Sequence, residues 1–147
     1  MMKILVINGP NLNMLGIREP DMYGRKDYRE LCRYIEEAAG ELGLEVEIFQ
    51  SNYEGALVEK IQEAYGRMDG LVINAAAYTH TSVAILDAVK AVGLPAVEVH
   101  LTDVDSREAF RHVSYVGLAC LCCFKGLGFA GYRKALETLK TYLTEKK

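Results

Sequence analysis

Short apolar, β-rich runs alternate along this chain with stretches whose apolar residues recur at helical spacing, and no other feature constrains the fold as much. The runs cover residues 3–8, 44–50, 70–74 and 96–100. A fifth, Ala119-Cys120-Leu121-Cys122-Cys123-Phe124, reads as a buried strand. Helical spacing fills 27–42, 54–68, 81–92 and 132–143. Asp27-x-x-Glu30 and Ser51-x-x-Glu54 have the form of capping boxes, in which each side chain satisfies a backbone donor of the other's residue. Gly43 and Gly93 stand where helices should end, and Pro95 opens the next strand.

Alternation of this kind implies a parallel sheet covered on both faces. Five strands predict an α/β, flavodoxin-like, doubly wound fold, a single domain over residues 1–147. At 147 residues the chain is long enough to bury a real core. A net charge of −3 argues against nucleic acid as the main partner, because phosphate binding rests on a basic surface. A small anionic ligand needs only a few well-placed donors and stays open. The first apolar run is too short for a signal-peptide core, and no run approaches the roughly 20 residues of a membrane span, so a cytoplasmic location is expected. Cys120 and Cys123 share a C-x-x-C spacing. On a strand, alternation sends them to opposite faces, so they are expected to be small buried hydrophobes with no metal bound.

In doubly wound sheets, ligands bind beyond the carboxyl ends of the strands. Polar residues collect there. Strand one runs into Asn8-Gly9-Pro10-Asn11-Leu12-Asn13, and strand three ends at Asn74 before Tyr78-Thr79-His80-Thr81-Ser82. Strand four ends Glu98-Val99-His100, followed by Thr102 and Asp103. Glu98 and His100 are two apart on a strand and face the same way. A glutamate inside a central strand is costly unless paired. Either backbone donors satisfy it, or it orients His100 and holds the protonated form that a general acid requires.

Residues 9–26 form a long loop without a secondary-structure pattern, which in compact domains is usually functional or disordered. It carries Arg18 and Tyr23 between Gly16 and Gly24. One reading is a lid with glycine hinges; the other is a tyrosine packed on the surface beside a solvated arginine. Residues 106–112 read as a short helix that puts Arg107 and Arg111 on one face. That arrangement suits an acidic partner or an anionic substrate, although a salt-bridged surface face is its usual meaning.

These residues fall into longer patterns. The segment from Asn8 to Gly24 reads Asn-Gly-Pro-Asn-Leu-Asn-x-Leu-Gly-x-Arg-Glu-Pro-x-x-Tyr-Gly with its intervening positions. Gln50-Ser-Asn-x-Glu-Gly55, Asn74-x-x-x-x-Thr-His-Thr-Ser82, Glu98-Val-His100, the Arg107–His112 segment and Gly126-x-Gly-x-x-Gly-Tyr132 follow in order. Together they resemble the type II 3-dehydroquinate dehydratase family. The resemblance implies a lyase of the shikimate route that converts 3-dehydroquinate to 3-dehydroshikimate without a cofactor. It also implies a homo-oligomer, a dodecamer built of trimers.

Carried over by position, it makes Tyr23 the proton-abstracting base, Arg18 its essential lid partner and His100 the general acid with Glu98 behind it. Asn74, His80, Asp87, Leu101, Thr102 and Arg111 become substrate-binding residues, and Asn11 and Arg107 supporting ones. The chain departs from the family pattern at Asp103, where an Asn is usual after Ser or Thr; Asp103 is expected to pair with Arg107. The alternative use of such a fold is a nucleotide- or flavin-binding module. Its phosphate loop after strand one would normally be rich in Ser, Thr and Gly, whereas this loop is rich in Asn.

Overall fold

The computed structural model describes residues 1–17 and 26–146. Five strands, β1 (Lys3–Asn8), β2 (Glu45–Gln50), β3 (Gly70–Asn74), β4 (Ala96–His100) and β5 (Cys123–Lys125), form one sheet in the order β2-β1-β3-β4-β5. Every pairing is parallel. Helices α1 (Tyr28–Leu42), α2 (Glu54–Glu63), α3 (Val83–Val92) and α4 (Ala130–Glu145) cover its faces.

Period-two alternation splits the core. Ile4, Val6, Val72, Val97 and Val99 pack against Leu31 and Ile35 of α1 and Tyr132, Leu136 and Leu139 of α4. Leu5, Ile7, Leu71 and Ile73 face Leu57 and Ile61 of α2 and Ile85 and Val89 of α3. Strands β1 and β3 are therefore apolar on both sides, which explains their unbroken hydrophobic runs, whereas β4 turns Glu98 and His100 to its second face.

Local signals hold at most boundaries. Asp27 Oδ1 accepts from Glu30 N at 2.9 Å, and Glu30 Oε1 accepts from Asp27 N at 3.3 Å, closing the expected capping box. Gly43 and Gly93 end α1 and α3 in the left-handed conformation that glycine tolerates.

Other expectations are corrected. Ser51 Oγ accepts from Tyr53 N at 3.0 Å, so no box forms with Glu54. Helix α2 stops at Glu63, not residue 68, as the chain turns through Gly66 at φ 76°. Helix α3 begins at Val83 because Ser82 caps it, its Oγ accepting from Ile85 N. Helix α4 is two residues longer at each end than its apolar pattern. The cysteine segment is largely not strand. A 3-10 turn, Val116–Ala119, precedes the three-residue β5, and Cys123 is exposed at this sheet edge. No short helix spans 106–112. Two 3-10 turns, Val104–Ser106 and Ala109–Arg111, replace it, with the backbone extended at Arg107 between them.

Candidate active site

The carboxyl ends of β1, β3 and β4 open into one pocket. Asn11, Asn74, His80, His100, Leu101, Thr102, Arg107 and Arg111 line it, together with Pro10, Leu12, Ala76, Ala77 and Val104. Eight expected site residues are thus brought together from segments up to 100 positions apart. Glu98 lies behind His100. Asp87 does not join them: it is exposed on α3, away from the pocket wall of its own chain. Arg18 and Tyr23 lie outside the described residues.

Strand alternation places Glu98 and His100 on one face, as expected. His100 Nε2 lies 2.6 Å from Glu98 Oε2, and the two residues are 5 % and 2 % exposed. The carboxylate is the acceptor, so Nε2 carries the hydrogen. Among the described residues Nδ1 has no hydrogen bond, which leaves that ring atom for a ligand. Two hydroxyls complete the carboxylate's shell: Thr79 Oγ1 donates at 2.9 Å and Ser114 Oγ at 2.6 Å. Burial alone would raise the Glu98 pKa. Bonding and charge from His100, with Ser114 and Thr79, outweigh it and hold the carboxyl at about 2. Side chains, not backbone donors, satisfy Glu98. Gly117 makes room for this cluster, since a Cβ there would meet Glu98 Oε1 at 2.7 Å.

A neutral cluster holds the other wall. Asn74 Nδ2 donates to Tyr132 Oη at 2.9 Å, and Tyr132 Oη donates to Asn8 Oδ1 at 2.7 Å. Tyr132 is fully buried, which drives its pKa well above the ordinary phenol value, so the hydroxyl stays protonated. Asn74 Oδ1 accepts from Ala76 N at 3.1 Å, leaving one Nδ2 hydrogen for the pocket. Ala76 has φ 53°, a left-handed conformation uncommon for a residue with a side chain, and it lines the same wall. Asn11 also has positive φ, which asparagine tolerates, and its N–H donates to Asn52 Oδ1 at 3.0 Å.

His80 Nδ1 lies 2.7 Å from the Val113 carbonyl and must donate to it. Burial is the main force lowering the His80 pKa, aided by the charges of His100 and Arg111, so Nε2 is available as an acceptor. Arg111 lines the pocket while its Nε donates to Glu108 Oε2 at 2.7 Å. Arg107 Nε is 4.0 Å from the same carboxylate. The expected Asp103–Arg107 pair does not form among the described residues. Asp103 Oδ1 instead accepts from Asp105 N at 3.1 Å and caps the turn.

Sequence reasoning assigned no role to Thr79, Ser114, Gly117 or Tyr132. Only the position of Thr79 and Tyr132 inside quoted motifs marked them.

The dehydroquinase class II family model matches residues 2–140. The chain belongs to this family. A 3-dehydroquinate dehydratase of Clostridium perfringens strain 13 is 51 % identical over 146 residues, covering 99 % of this chain and all of that one. The one from Clostridium acetobutylicum is 47 % identical over 144 residues, covering 98 % and 100 %. The crystal structure of type II dehydroquinase from Butyrivibrio crossotus superposes with a TM-score of 0.92 at 50 % identity, covering 94 % of this chain and 97 % of that one. Membership does not favour the nucleotide- or flavin-binding use of the fold. Among the described residues no helix is long and apolar enough to cross a membrane.

Proposed function

We propose that this chain is a hydro-lyase that dehydrates 3-dehydroquinate to 3-dehydroshikimate by an enolate-type elimination. The observation that carries the mechanism is the buried Glu98–His100 pair at the pocket wall. Removing a proton beside the ketone gives an enolate, and the neighbouring hydroxyl then leaves as water once it is protonated. Water departs with the hydroxyl oxygen and two hydrogens, and the ring keeps a conjugated enone. His100 supplies the leaving group's proton, and Glu98 stabilises the imidazolium. The remaining Nδ2 hydrogen of Asn74 serves the enolate oxygen directly or through a water. His80, Thr102, the Leu101 backbone and Arg111 hold the substrate's hydroxyls and carboxylate, and Asn11 and Arg107 support them.

Tyr23 is the base in this reading. An ordinary tyrosine has a pKa of about 10, so its phenolate costs roughly 4 kcal/mol at pH 7. A guanidinium lowers such a pKa by roughly 1–3 units, the part assigned to Arg18. Asp87, exposed and off its own pocket, binds substrate in a neighbouring copy, which fits assembly as a dodecamer of trimers. The enzyme works in the cytoplasm, in the shikimate route to aromatic amino acids.

The test is to add 3-dehydroquinate to purified protein and follow the ultraviolet absorption of the conjugated enone. A rise is expected, and borohydride added with substrate leaves activity intact because no lysine adduct forms. No rise at any pH, or inactivation by borohydride, contradicts the assignment.

A further inference from the structure

Strand β5 sets a thiol against the back of the Glu98–His100 pair. Glu98 and Cys123 are direct partners in the parallel register of β4 and β5, so their side chains leave the same face side by side. His100 stands two residues on, on that same face. A carboxylate oxygen, an imidazole nitrogen and Cys123 Sγ consequently lie within 4.8 Å of one another.

We propose that Glu98, His100 and Cys123 form an inhibitory site for a soft divalent cation, with Zn²⁺ the best fit. Imidazole, thiolate and carboxylate together are a zinc-type donor set, whereas Mg²⁺ and Ca²⁺ call for oxygen alone. Zinc bonds of about 2.0–2.3 Å place tetrahedral ligand atoms roughly 3.3–3.7 Å apart. The 2.6 Å Nε2···Oε2 contact must then open by about 1 Å as its hydrogen is lost, a side-chain adjustment. Thr79 and Ser114 already grip the carboxylate, as outer partners grip metal-ligating carboxylates. Access comes through Cys123, exposed on the sheet edge while the other two ligands are buried.

The exchange balances without redox change. Sγ and the Nε2 of the His100 imidazolium each release a proton to solvent, Nδ1 keeps its hydrogen, and Zn–S, Zn–N and Zn–O bonds form. Zinc leaves a neutral, metal-bound imidazole with a hydrogen on Nδ1, a poor acid. Turnover stops for want of the leaving group's proton.

Cys120 is not the partner that a C-x-x-C spacing suggests. It lies in the turn before β5, and its Sγ donates to Val116 O at 3.4 Å.

Metal-stripped protein is titrated with zinc chloride, then with EDTA. Expected is inhibition with one zinc bound per chain, reversed when EDTA removes the ion. Cys123→Ser keeps basal turnover but needs at least about tenfold more zinc; Cys120→Ser behaves as the native chain. Cobalt(II) gives a readout independent of activity: a thiolate-to-cobalt absorption band in the native chain that is missing from Cys123→Ser. The inhibition rests on the role given to His100 above, but the band does not, so the two readings fail separately. Absence of the band in the native chain, or equal zinc sensitivity in Cys123→Ser, overturns the site. Cobalt or zinc binding without loss of turnover overturns its inhibitory role.

Discussion

Charged groups gather at both ends of this sheet, in two different settings. At the amino-terminal end Lys3 faces Glu45 at 3.8 Å, while Glu47 takes both Lys60 and, at 3.4 Å, Arg67. The Lys3 and Glu45 side chains are more than half exposed. Pairs of that kind contribute about 0–1 kcal/mol each. At the carboxyl end a single carboxylate, Glu98, is withdrawn from water and satisfied by an imidazole and two hydroxyls. The difference teaches that a cluster of charge becomes a site where burial forces each group into one arrangement. A groove rich in charge, such as that beside Lys3, Glu47 and Arg67, need not be one.

Glu98→Gln should break the comparison most severely. It is expected to lower kcat by roughly 10²-fold with a smaller effect on KM, because the imidazolium loses its counter-charge. The same variant has a pH signature. The folded Glu98 carboxyl sits at about 2 against an ordinary 4.5. A depressed pKa contributes stability that is fully present above 4.5 and lost as the pH falls toward 2. At 1.36 kcal/mol per pH unit this amounts to about 3 kcal/mol. Urea unfolding from pH 7 to pH 2 should therefore show a shallower loss in Glu98→Gln than in the native chain. Equal slopes would mean the carboxylate is not held by its neighbours.

Gly117→Ala tests the cluster without touching a charge. The new Cβ would stand 2.7 Å from Glu98 Oε1 and 3.0 Å from Ser114 Oγ, so the carboxylate must shift. About a tenfold loss of kcat with a normal circular dichroism spectrum is expected; unchanged turnover would show that Glu98 tolerates displacement. Smallest of all is Glu47→Gln at the other end. Stability should change by under about 1 kcal/mol, and turnover not at all. A loss comparable to that of Glu98→Gln would erase the distinction between the two ends.

Much of this architecture was legible beforehand. Short apolar runs and glycine C-caps located four strands to within a residue, and the strand-end rule led to the pocket. Glu98 and His100 could be paired from their spacing alone. The hydroxyls that hold them could not: Thr79 and Ser114 are 35 positions apart and meet through loops with no periodic pattern. Tyr132 read as an ordinary apolar helix position, yet its hydroxyl ties Asn74 to Asn8 across the sheet's end. Strand β5 was misjudged because its apolar run looked buried, whereas an edge position leaves Cys123 exposed. The motif resemblance supplied what periodicity lacked, namely roles for Tyr23, Arg18 and Asp87.

The most direct test of the buried pair as the acid is turnover of 3-dehydroquinate by His100→Gln, followed by enone absorption beside the native chain. The variant should fold normally and bind substrate, yet turn over roughly 10²–10⁴-fold more slowly. Turnover within a few-fold of the native chain would show that the leaving hydroxyl draws its proton from elsewhere.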